Sequence, residues 1–164
     1  MSKQDHIEKI QDVIKDVKFA MMSTVNSKGD LHAWPMTTNK ADINAREIWF
    51  IGAKESDVVK DIQDNANIGL TYATQDDKNY VSITGDAELL DDKDKLDELW
   101  SPAYNAFFAQ GKEDPSVQLI KVVPKGAECW LSGSSVVNMF KMATAAVQDG
   151  ETAKDMGETF SVEL

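Results

Sequence analysis

The chain has little of what most catalytic and structural signatures need. Among 164 residues there is one cysteine, Cys129, and there are two histidines. No intrachain disulfide can form, and a zinc centre built from the usual thiolate and imidazole ligands is not expected. Positive charge is also scarce. Seventeen Lys and Arg face 28 Asp and Glu, a net charge of −11. A chain this acidic repels a phosphate backbone, so nucleic acid is not an expected partner. No apolar run approaches the roughly 18–20 residues of a membrane span. The segment Met1 to Gln11 is polar and does not resemble a secretory signal, so the expectation is a cytoplasmic protein with no membrane association. There is no phosphate-binding Walker loop, no G-x-G-x-x-G, no G-x-S-x-G and no zinc-protease helix.

What is present reads as one domain. Ile7, Ile10, Val13, Ile14 and Val17 recur at helical spacing and predict an amphipathic helix over about residues 4–17. Phe19 to Val25 and Leu31 to Thr37 are extended runs separated by the turn Asn26-Ser27-Lys28-Gly29-Asp30, a hairpin. Asn39 to Arg46 is a polar connection, and Glu47 to Gly52 a third strand. Ser56 is a helix N-cap before Val58, Val59 and Ile62. Asn67 to Ala73 returns to strand. Tyr80 to Leu90 alternates, with Val81, Ile83, Ala87 and Leu89 on one face. Gly85 in its middle predicts a bulge or a close approach of another group. Asp92 to Trp100 is a charged helix ended by Ser101-Pro102. Val117 to Val123 and Ala127 to Leu131 read as two strands broken at Pro124-Lys125-Gly126. A last helix is expected over about 135–147, followed by a polar acidic tail, 149–164, relieved only by Phe160, Val162 and Leu164. About seven hairpin-linked strands with helices around them predict a mainly β (α+β) fold, an antiparallel barrel with peripheral helices, in a single domain spanning 1–148 with its barrel over 19–132.

Few residues suggest chemistry. Cys129 lies in the apolar run Ala127 to Leu131 and reads as a buried structural thiol. His32, Trp34 and Met36 share one strand face. They form either a groove wall or a patch of core with His32 at its rim. The junction Gly52-Ala53-Lys54-Glu55-Ser56 places backbone N–H groups, Lys54 and Ser56 where an anion could sit. Glu55 and Asp57 oppose that reading, because acidic residues in a first turn are also simply favourable to a helix.

The ordered set of segments resembles a known family. Phe19-Ala20-Met21-Met22-Ser23-Thr24-Val25, Gly29, Trp34-Pro35-Met36 and Trp49-Phe50 come first. Tyr80-Val81-Ser82-Ile83-Thr84-Gly85-Asp86-Ala87 follows, then Leu99-Trp100-Ser101-Pro102, Phe107-Phe108, Gly111 to Pro115, and Ala127-Glu128-Cys129-Trp130. From Phe19 to Trp130 this resembles the general stress protein branch of the pyridoxamine 5′-phosphate oxidase-like, FMN-binding split β-barrel superfamily. The resemblance implies a homodimer with FMN in a cleft between subunits. It also implies contacts from Trp34, Pro35, Met36, Thr37, Phe50, Ile51, Gly52, Ser56 and Trp130, with Lys54 as a further candidate. Two positions depart from the pattern. Trp34 stands where Arg is usual, and Val58 where Lys is usual. Losing two charged hydrogen-bond partners would cost about 3–6 kcal/mol, or roughly 10²–10⁴ in affinity. Lys54 and Lys60 are the nearest replacements, though an ammonium does not reproduce an Arg fork. The expectation is a flavin-binding, general stress-type protein and an FMN-dependent oxidoreductase with no assignable catalytic residue. The alternative is a binding or interaction module that has lost the flavin, with Trp34 filling the cleft.

Overall fold

Ser2 starts the first helix with a capping box: its hydroxyl accepts from Asp5 N–H, and the Asp5 carboxylate accepts from Ser2 N–H. The helix, α1, spans Lys3–Val17 and buries Ile7, Ile10, Val13 and Ile14. Strands β1 (Phe19–Val25) and β2 (Leu31–Thr37) form the expected hairpin. Asn26 ties its turn, accepting from Lys28 N–H and Asp30 N–H through Oδ1, while Gly29 takes a positive φ of 84°. The computed structural model describes residues 1–76, 78–133 and 157–164.

The connection after β2 is not wholly irregular. Lys40–Asp42 forms a short strand, β3, paired with β4 (Glu47–Ala53). Helix α2 (Asp57–Asp64) leads into β5 (Asn67–Ala73) and β6 (Tyr80–Leu90). After α3 (Lys93–Leu99), two 3-10 turns lie at Pro102–Ala106 and Gly111–Glu113. The expected break at Pro124 is corrected by a single continuous strand, β7 (Val117–Ser132). Thr84 pairs with Gly126 and Gly85 with Pro124, so Lys125 is an extra residue on β7. The chain absorbs the proline as a bulge, where its missing N–H breaks no regular ladder. The Pro124 carbonyl accepts two hydrogen bonds from the Arg46 guanidinium.

The stretch expected as a polar tail is corrected too. Gly157–Glu163 is strand β8, which pairs with β7 from Ser132 to Gly126 and buries Phe160 and Val162. The domain therefore draws on residues beyond 148. The helix expected over 135–147 lies outside the described residues.

All strand pairs are antiparallel, in the order β2-β1-β5-β6-β7-β4-β3, with β8 beside β7. The sheet curls into the split barrel that the sequence pattern predicts. Its inner face carries Met22, Phe50, Leu70, Tyr72, Val81, Ile83, Ile120, Val122 and Cys129, with the buried polar Thr24 beside Met22, and is closed by α1 and by Val58, Val59 and Ile62 of α2. At the split, β2 and β4 are not hydrogen-bonded to each other. Met36 reaches across, its methyl 3.9 Å from where a Gly52 β-carbon would stand. A second cluster packs Trp49 and Ile51, on the other face of β4, against Leu119, Leu96, Leu99, Trp100 and Phe108. No helix among the described residues is long and apolar enough to cross a membrane.

Candidate functional site

The first half of the candidate site lies at the seam between β2, β4 and α2. Trp34 is half-buried and packs on the main core. Its Nε1–H donates to Thr24 Oγ1 at 2.9 Å, and the Thr24 hydroxyl donates to Asp61 Oδ2 at 2.7 Å. Thr24 is fully buried and Asp61 is 8% exposed. The His32 ring stacks on the Trp34 indole at 3.7 Å, nearly parallel. The shared face of His32, Trp34 and Met36 is thus real. Trp34 is seated inward, with its one polar group committed to the protein.

The anion corner at the start of α2 is poor in free cations. Ser56 caps the helix by position, but its hydroxyl donates to Ala53 O at 2.6 Å and makes no cap bond. The Lys54 ammonium lies 3.5 Å from Asp91. Val58 is buried in the core. Lys60 is exposed on α2, between Asp57 and Asp64 at helical spacing. Glu55, Asp57 and Asp61 complete a corner that suits a phosphate badly. The phosphate of FMN does not fit the residues present there.

The remaining candidates fall elsewhere. Phe50 is fully buried, so its side chain has no surface to offer a ligand. Ile51 points the opposite way, into the second cluster. Gly52 is half-buried beside Met36. Pro35 and Thr37 are exposed and pair with Met21 and Phe19 on the outer face of the sheet. Trp130 is 39% exposed on that same outer face, opposite Tyr80. Strands β1, β5 and β6 separate it from β2, roughly 19 Å at ~4.8 Å per strand. One chain therefore does not bring Trp130 to the β2 seam.

The outer face itself was not singled out by the sequence. Phe19, Met21, Ser23 and Val25 of β1 share it with Leu31, Ala33, Pro35 and Thr37 of β2. Asn67, Gly69, Thr71 and Ala73 of β5 extend it to Tyr80, Ser82 and Thr84 of β6. None of these positions is charged, although 27% of the chain is. Phe19 is 65% exposed, Met21 43% and Leu31 79%. At one end of this face lies an open groove of about 510 Å³. Phe19, Met21, Pro35 and Ala73 line it, together with Asp16 and Asp76. That size falls within the range of small-molecule sites. The signal was available: Phe19 to Met22 is apolar on both faces, more than a strand with one solvated face requires. Thr24 and Asp61 were also missed, though Asp61 stands on the apolar stripe of α2 with Val58 and Ile62.

The family model described as pyridoxamine 5′-phosphate oxidase like matches residues 5–153. The solved structure of a candidate general stress protein 26 from Jannaschia sp. CCS1 is similar, with a TM-score of 0.76 and 28% identity, covering 98% of this chain and 99% of that one. The general stress FMN/FAD binding protein of Xanthomonas citri is similar at a TM-score of 0.69 and 25% identity, covering 80% and 92%. Protein bli-3 of Neurospora crassa is 25% identical over 145 residues, 83% of this chain and 69% of its own length.

Proposed function

The chain belongs to the pyridoxamine 5′-phosphate oxidase-like family, and from that premise we propose that it is a homodimeric flavin-binding protein of general stress type. The observation that carries this reading is the uncharged outer face of β1, β2, β5 and the start of β6, bordered by Asp86 and Glu88 further along β6. Apolar area of that kind, on a chain of net charge −11, is what a covered surface requires. A second copy is the occupant we assign to it. A two-fold axis on this face would carry Trp130 of one copy toward β2 of the other, completing a site that one chain leaves open. A flavin ring is flat and largely apolar, matching the Phe19, Met21 and Pro35 surface. The Xanthomonas citri relative's name supports a flavin as the ligand class. Any oxidoreductase activity would be the ring's own, and no side chain of this protein is assigned a catalytic part.

A second reading is favoured by the Trp34–Thr24–Asp61 chain, which fills the seam from within. On that reading the barrel is a binding or interaction module without flavin. Absorbance of the purified protein, followed by reconstitution with flavin and release by denaturation, separates the two. The flavin reading predicts saturable uptake with visible bands at one ring per subunit. A colourless protein that takes up no flavin contradicts it.

A further inference from the structure

The α2 corner holds three acidic side chains, and apart from the exposed Lys60, which is flanked by Asp57 and Asp64, the groups that could answer an anion are occupied. Lys54 faces Asp91, and the Ser56 hydroxyl is bonded to Ala53 O. The indole N–H of Trp34 is bonded to Thr24, whose own proton goes to Asp61. The Asp61 carboxylate thus receives from inside the protein the kind of hydrogen bond a ligand phosphate would need, and it adds a negative charge to the seam. Trp34 supplies volume there that an extended cationic side chain would leave open.

We propose that this internal chain closes the corner to phosphate, so that the ligand taken up is the unphosphorylated flavin, riboflavin, in preference to FMN. The inference rests on the flavin reading above. The ring and ribityl chain can still use the uncharged surface, whereas a phosphate dianion would meet Glu55, Asp57 and Asp61, answered only by the exposed Lys60, itself flanked by Asp57 and Asp64, and by Lys54, already paired with Asp91. Repulsion of this kind at a partly screened site raises the dissociation constant of FMN relative to riboflavin.

Fluorescence titration of the dimer with riboflavin and with FMN, at one ionic strength, tests this. Riboflavin is expected to bind at least about tenfold more tightly, a difference of about 1.4 kcal/mol. Asp57→Lys, at an exposed position that leaves the core intact, is expected to narrow the gap by strengthening FMN binding. FMN binding as tightly as riboflavin, or more tightly, in the wild type overturns the proposal. Uptake of neither flavin by the wild type contradicts the flavin reading. Closure is then decided by the folded Asp57→Lys/Asp61→Asn variant. Gain of FMN binding upholds it, and no gain overturns it.

Discussion

Thr24 is a small residue with two obligations. It accepts the Trp34 N–H and donates to Asp61, and it is fully buried. Thr24→Val keeps the shape and removes both bonds. Each group left unpaired costs about 1–3 kcal/mol, so the urea midpoint should fall markedly. Trp34→Phe keeps the ring stack and leaves Thr24 its bond to Asp61, so its cost should be clearly smaller. Equal losses in the two variants would contradict the chain as drawn. Cys129 makes a different prediction. Burial pushes its thiol up from 9.0 to about 11, and burial pushes the Tyr72 hydroxyl up to about 12. Both groups stay protonated in the folded state while the unfolded chain ionises, so the unfolded state binds fewer protons. Stability should therefore fall as pH rises from about 9 toward 12. A thiol reagent at pH 8 should modify Cys129 slowly in the native protein and rapidly in denaturant. Fast native modification would contradict this placement.

Among the elements, the β6–β7 pair is the most constrained. A β-carbon on Gly85 would stand 2.6 Å from Val123 O and 3.1 Å from Pro124 Cα, both backbone atoms. Gly85→Ala should cost about 1–3 kcal/mol or more, read as a lower melting temperature. An unchanged melt would mean that the bulge opens freely. The sequence carried Gly85 clearly, because a glycine inside a clean alternation has few explanations. It carried α1 and the first hairpin for similar reasons, through helical spacing and turn chemistry. It did not carry the continuity of β7, since Pro124-Lys125-Gly126 has the local chemistry of a break and only the partner strand shows that it is a bulge. Strand β8 was hidden because two apolar residues, Phe160 and Val162, are too short a signal without the β7 edge that receives them. The run Ile48 to Ile51 could not say which face is core, since both faces are buried in separate clusters. At the site, Trp34 stood out by type, but Asp61, linked to it through Thr24, becomes visible only once α2 is docked on β1.

At the scale of the whole molecule, charge is distributed unevenly. The chain is strongly acidic, yet the outer face of β1, β2, β5 and the start of β6 carries no charge. Left in water, such a surface would invite association of the wrong kind. Paired with its copy it would bury an apolar patch, and a stable dimer needs about 1,200–2,000 Å² in total. On the proposed pairing Trp130 would be carried toward the β2 seam, so assembly and ligand binding would stand together. The measurement that tests this most directly is the solution mass, by light scattering, of wild type and Met21→Glu at micromolar concentration. Met21 is 43% exposed at the middle of the face, so the substitution should leave the fold intact while burying a carboxylate in the interface. The account predicts a dimer for the wild type and a folded monomer for the variant. A monomeric wild type, or a variant that remains a dimer, would contradict it.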